Sequence, residues 1–370
     1  MINALSDKPI NNSRQLELDL AKGLAILFMV WVHVNENYQS PSYEGGIYNR
    51  FIEFIGSPPA APVFMFLLGA GIIYSKKSTP KYLLKRGVFM IILAYALNFF
   101  RDFIPYSLLA IKASDPSYNV DAVTNLFGID ILPFAGLSFI FFSIIKKFNI
   151  KVSKLPLIYL ILATLNLFLR DKSTGSYAVD AFFGLFWGTN EFSWFPFLSW
   201  IFYPILGYIF GHILIHTKDK RALYKTCGIY SFIALIPLTI YAYINAVHFG
   251  AFGELYQETY YHHDIMGNII MGTFTIFWLS LIFFISLHIN EKVLAHFSRW
   301  SKNVNLIYCI HWIFLGYSML IFELETLGPV QIFIFAVILF IISDFVSLKI
   351  SEFRGKQKSN LKIAANKMAS

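Results

Sequence analysis

The chain has 370 residues, 56% hydrophobic and only 14% charged, with a net charge of +8 and two cysteines. A soluble chain of this length needs about a quarter of its residues charged to cover its surface, so the composition excludes an ordinary soluble domain. The excess of positive charge sits between apolar runs and reads as membrane topology, with no nucleic-acid partner implied.

Apolar runs recur at 17–35, 60–75, 82–100, 124–145, 155–170, 195–215, 225–247, 264–288, 303–322 and 328–349. Most approach the ~20 residues that a membrane crossing needs. The expected fold is therefore an all-α integral membrane protein, a bundle of about ten transmembrane helices. The first 15 residues are polar and the first apolar run is long enough to span, so no cleaved leader is expected. The second run carries Pro62 after Pro58 and Pro59 and should begin with an irregular turn. The segment 181–188 is too short to span and reads as interfacial or re-entrant.

Basic residues set the orientation. With the N-terminus inside, twenty-five of the 30 Lys and Arg fall on inner segments, and only Arg50, Arg101, Lys112, Arg170 and Lys172 on outer ones. The alternation holds loop by loop, which predicts both termini in the cytosol. Residues 1–350 then form one polytopic domain, and 351–370 a basic cytosolic tail lying near anionic lipid. The outer loops 36–59, 101–123, 171–194 and 248–263 are the longer ones, which suggests work at the outer face of the cell membrane. Cys227 and Cys309 supply neither a disulfide framework nor a metal motif and read as small buried hydrophobes.

Ionisable residues inside such spans are functional candidates, because facing lipid would cost several kcal/mol. The first span begins DLAKGLAILFMVWVH, from Asp19 to His33. Lys22 and His33 are eleven residues apart, three helical turns plus about 20°, so they share a face about 16 Å from end to end. Asp19, three residues before Lys22, is placed to pair with it. Asp130, in the fourth run, is a candidate to orient His33 as a base. Tyr308 and His311 share a face in the ninth run and suit a structural or substrate-positioning role. Asp344 is placed to pair with Lys349 at the inner end of the last run. In the outer YYHHD, residues 260–264, adjacent histidines diverge by about 100° on a helix and suit chelation poorly. No metal is expected there. Tyr260, Tyr261 and His263 could hold an acceptor, and Trp187, Trp194 and Trp200 could stack on a sugar or form an interfacial belt.

The stretch RQLELDLAKGLAILFMVWVH resembles the first span of the transmembrane acyltransferase superfamily, which includes acyltransferase family 3 and relatives of heparan-α-glucosaminide N-acetyltransferase. Leu18, Asp19, Gly23 and His33 fit its pattern, and Lys22 stands where acyltransferase family 3 has arginine. PPAAPVFMFLLGAGIIYSKK followed by KYLLKRGVFMIILAYALN, LFGIDILPFAGLSFIFFSIIKKF, FPFLSWIFYPILGYIFG and SKNVNLIYCIHWIF are similar to later passages, in order, over about 330 residues. The heparan-acetyltransferase branch carries a histidine in the first outer loop, whereas 34–59 holds none here, so the resemblance assigns the acyl-handling work to His33.

The resemblance implies transfer of an acyl group, usually acetyl, from cytosolic acyl-coenzyme A to a hydroxyl or amine of a glycan, polymer or lipid at the outer face. Lys85 and Arg86, with Asp19 and Lys22, would serve the donor. His33 and Asp130 would be catalytic, with His311, Tyr308 and His263 toward the acceptor. Acceptor identity, oxygen or nitrogen acylation and homo-oligomer formation stay open. The rival reading is a transporter with Asp19, Lys22, His33, Asp130 and His311 as a proton relay; the lack of an internal repeat counts against it.

Overall fold

The computed structural model describes residues 5–189, 192–245 and 260–369, and the side chains of these up to Gln357. Most of the outer loop 248–263 lies outside them, as do the side chains of much of the basic tail. Among the described residues the chain is helical, with isolated bridges and no strands.

The helices in chain order are α1 (Leu16–Tyr38), α2 (Ile47–Gly56), α3 (Ala61–Tyr74), α4 (Pro80–Asn98), α5 (Ile104–Ala113), α6 (Ser117–Leu126), α7 (Ile131–Lys147) and α8 (Leu155–Leu169). There follow α9 (Tyr177–Phe183), α10 (Phe197–Trp200), α11 (Phe202–His216), α12 (Lys220–Ile244), α13 (Ile265–Ser286), α14 (Glu291–Ser318) and α15 (Pro329–Ala369). Among the described residues seven helical stretches are long and apolar enough to cross a membrane: Ile47–Tyr74, Pro80–Ala113, Val152–Leu169, Phe197–His216, Lys220–Ile244, Ile265–Ser286 and Pro329–Gln357. Each overlaps one of the expected runs. The other three runs fall on α1, α7 and α14, of which α1 and α14 carry several charged residues and α7 is only 17 residues long.

Several local expectations take sharper form. The prolines at 58, 59 and 62 break the chain between α2 and α3, and Pro62 sits in the first turn of α3, where its missing N–H costs nothing. The run 124–145 does not start as one helix: α6 ends at Leu126, and α7 begins only after Asp130 caps it through the Ile131 amide. The segment 181–188 contributes the end of the short α9 and a turn. Asp344 pairs with Arg299 of α14, not with Lys349, which reaches Glu352 instead. The helix α15 runs on through the basic tail for 41 residues in all.

Small residues let the backbones meet. A Cβ on Gly69 of α3 would lie 1.9 Å from the Pro204 carbonyl oxygen of α11, and one on Gly207 would lie 1.8 Å from that of Phe66. Close approach through glycine substitutes packing for the hydrophobic drive that lipid does not supply. The α12 helix is largely exposed, with only 11% of its most apolar stretch buried, while α1 is central and packs against α14. The helix carrying Lys22 and His33 thus stands in the core of the bundle, walled by its neighbours.

Candidate active site

Two cavities flank α1, named inner and outer after the orientation expected from the basic residues. The inner one, about 230 Å³, is lined by Lys22, Phe64, Ser75, Arg86, Ile131, Leu132, Phe139 and Asn305, among others. The outer one, about 330 Å³, is lined by His33, Glu36, Asn37, Arg101, Asp102, Asp130 and Trp312, with Trp194, Phe195, Tyr260 and Tyr261 as further aromatic walls. They lie back to back at the start of α7, where Asp130 faces the outer cavity and Ile131 and Leu132 the inner one.

The helical spacing explains why one helix serves both. Lys22 and His33 occupy one face, and three turns separate them. In the inner cavity, the Lys22 ammonium lies 5.6 Å from the centre of the Phe64 ring and the Arg86 guanidinium 4.2 Å from that of Phe139. Neither has a carboxylate partner among the described residues. Asp19 does not pair with Lys22. It accepts from Arg14, from Ser298 Oγ at 3.0 Å and from Ser301 Oγ at 2.7 Å, and so ties the start of α1 to α14. Lys85 is exposed, one position off the face that carries Arg86 into the cavity.

The outer cavity is organised around rings and charges. His33 Nδ1 lies 3.0 Å from His311 Nε2, with the two rings nearly parallel at 6°. His33 also meets the Trp312 ring at 4.2 Å, and Arg101 stacks on that same indole at 4.3 Å. Arg101 reaches Asp130 at 2.7 Å through Nη1 and Asp102 at 2.8 Å through Nε. Tyr308 donates its phenol to Asp130 as well. Asp130 therefore does not orient the His33 ring, as its sequence position suggested. It is a helix cap whose oxygens are taken by Arg101, Tyr308 and the Ile131 amide. The group bonded to His33 is His311.

Tyr308 and His311 are 1% and 0% exposed and stand behind the cavity wall, holding Asp130 and His33 in place. His263 is turned away from the cavity. It is 1% exposed and bonds the Tyr260 carbonyl, the Tyr203 hydroxyl and the Asn268 side chain. Burial pushes its pKa down to about 4. Its neighbour His262 diverges to Asp171 and the Ser193 carbonyl, in keeping with adjacent positions pointing different ways. Trp194 walls the outer cavity, whereas Trp200 is fully buried and donates to the Tyr261 carbonyl.

Arg101 was not singled out by the sequence, where it opens what reads as an outer loop. The structure extends the helical backbone through a π turn at Phe99–Phe103 into α5. Such wide turns re-aim side chains and recur at functional sites. Here the turn brings Arg101 to 3% exposure in the core. Its backbone nests against α14 at Gly316, where a Cβ would lie 1.9 Å from the Arg101 carbonyl oxygen. A hint was available: FFRDF continues directly into the apolar IPYSLLAI, so the charged pair is flanked by apolar residues on both sides.

An imidazole on the wall of an aromatic cavity, beside a charge-compensated carboxylate, is an arrangement that can take a proton from a hydroxyl or amine. Among the described residues no three His, Cys, Asp or Glu converge as a metal site. The family model of the acyltransferase domain, acyltransferase family 3, matches residues 15–348. No curated protein matches the chain. The match takes in all the helices that line the two cavities and nearly the whole polytopic bundle, and the chain belongs to the acyltransferase family 3, a multi-pass membrane acyltransferase.

Proposed function

We propose that the protein moves an acyl group, acetyl by preference, from cytosolic acyl-coenzyme A to a hydroxyl or amine of a glycan, polymer or lipid at the outer face of the plasma membrane. In this reading the bundle crosses the membrane ten times with both termini inside. The observation that carries it is the placement of Lys22 and His33 on one helix face, each lining its own cavity, the two cavities back to back.

The residues fit their tasks. Lys22 and Arg86, without carboxylate partners, suit an anionic donor at the inner cavity. A cavity of about 230 Å³ takes a slender arm rather than a whole nucleotide. The exposed Lys81 and Lys85 then serve the phosphates at the cytosolic mouth. The outer cavity, about 330 Å³ with several aromatic walls, suits an acceptor of the size of one sugar ring. His33 takes the proton of the acceptor O–H or N–H as the oxygen or nitrogen bonds to the thioester carbonyl carbon. The carbon–sulfur bond then breaks and the departing thiolate takes the proton from His33. The Arg101–Asp130–Tyr308 group, locked by its mutual bonds, holds the wall beside His33 rigid.

The test uses the full chain in liposomes, with labelled acetyl-coenzyme A supplied from one side and cell-surface glycans or lipids from the other. Label covalently attached to an acceptor on the far side is the expected result. Flux of label without covalent transfer points to a carrier and sinks the reading.

A further inference from the structure

A general base must present a bare nitrogen to its substrate, and an imidazole has two nitrogens of which only one is bare when the ring is neutral. Which one it is depends on the bond the other makes. For His33 the structure supplies that bond, and the residue that makes it is itself fixed by a third group.

The chain of bonds starts at the Ile307 carbonyl oxygen, which can only accept. It lies 3.1 Å from His311 Nδ1, one helical turn along α14. His311 Nδ1 therefore carries a hydrogen. In the neutral ring its Nε2 is then bare, and it lies 3.0 Å from His33 Nδ1. That leaves His33 Nδ1 as the donor and His33 Nε2 as the bare nitrogen. His311 has no freedom to reverse this order: it is 0% exposed, edge-on to Tyr308 at 5.4 Å and tilted against Trp312 at the same distance. His33 packs in turn against both His311 and Trp312 while lining the outer cavity.

We propose that His311 is a positioning residue that fixes the His33 tautomer, through the series Ile307 carbonyl, His311 and His33, so that Nε2 of His33 is the base. This rests on the reading of His33 as the acceptor's base. A carboxylate commonly holds this place behind a catalytic histidine. Here the carboxylate nearest by sequence reasoning, Asp130, is committed to Arg101 and Tyr308, and a neutral imidazole does the work. The arrangement also offers the proton a second seat. When His33 gains a proton at Nε2, its Nδ1 hydrogen can cross to His311 Nε2, so that the charge is shared by two rings during the step and no group is oxidised or reduced.

Two substitutions of equal polarity separate this from a merely structural role. Glutamine at 311 puts its side-chain oxygen where Nε2 stands and can accept from His33 Nδ1. Asparagine ends near the Nδ1 position and falls short. The full-length protein carrying His311→Gln should keep kcat within about tenfold of the parent, while His311→Asn should lose about 10²-fold or more. KM for donor and acceptor should stay nearly level in both, because neither substrate touches His311. Equal losses in the two variants, at equal thermal stability in detergent, overturn the proposal, as does full activity in His311→Asn. Nitrogen-15 shifts of labelled histidine in the unsubstituted protein, assigned to His33 by comparison with His33→Ala, should read a protonated Nδ1 and a bare Nε2; the reverse pattern overturns it independently of any variant. Full activity of His33→Ala instead removes the underlying reading, and so the two failures are told apart.

Discussion

The two cavities along α1 are built on opposite plans. In the outer one the named polar groups are largely committed: His33 to His311, Arg101 to Asp102 and Asp130, and Tyr308 to Asp130. In the inner one Lys22 and Arg86 face open space with aromatic rings beneath them and no carboxylate partner. A network satisfied in advance holds reacting groups at fixed angles and needs no reorganisation during the reaction. A half-buried Lys22 and an exposed Arg86 without carboxylate partners suit an anion that comes and goes. Under the proposed function, the contrast separates the place where bonds would change from the place where a ligand would dock.

Breaking the outer side should give the largest effects. His33→Ala should lower acyl transfer by about 10²- to 10⁴-fold, measured in membranes that still contain the protein at the parent's level. Arg101→Gln leaves the buried Asp130 and the half-buried Asp102 without their cation. It should cost about 3–5 kcal/mol of stability, read as a fall in the thermal midpoint in detergent. If Arg101→Gln proves as stable as the parent, the outer network is not the rigid element described. On the inner side, Lys22→Ala should raise KM for acyl-coenzyme A about tenfold with little change in kcat or in the acceptor's KM. A loss confined to kcat would instead move Lys22 to the chemistry and erase the contrast.

The smallest effect concerns His263, which sits apart from both cavities. Its folded pKa of about 4 lies below the ordinary value of 6.5, so the unfolded chain takes up a proton first as the pH falls. Its contribution to stability is whole above about pH 6.5 and is lost progressively as the pH falls toward 4. His263→Gln removes that titration. The variant's melting temperature should fall less than the parent's between about pH 7 and 4.5; parallel curves would count against a buried neutral ring.

The sequence made the helices legible because lipid demands long apolar runs, and all ten expected runs are largely helical. It made Lys22 and His33 legible because both are rare inside such runs and their spacing sets their faces. It did not reveal that the partner of His33 stands 278 positions away, since no local pattern encodes which helices become neighbours. Asp130 looked intramembrane because the apolar run around it hides a helix start; only the cap geometry shows where α7 begins. Arg101 was read by its charge as a loop residue, while the surrounding phenylalanines keep the backbone helical through it. His263 and His262 could not be sorted by sequence at all, because their roles follow from which loop packs above each ring.

The wide turn at Phe99–Phe103 has a consequence for how this chain can vary. A π turn holds one residue more than an α-helix would place there. Removing a single residue from this stretch would restore regular winding, leave the helix beyond it nearly in phase and re-aim the side chains inside the turn. The frame from Pro80 to Ala113 would remain helical and apolar, and insertion into the bilayer would proceed as before. Arg101 would nonetheless swing off Trp312, and the backbone would no longer fit the notch at Gly316. A one-residue deletion here is thus a change to which membrane insertion is blind and the active site is not. It marks this stretch as a position where the length of the chain, more than its composition, carries the information.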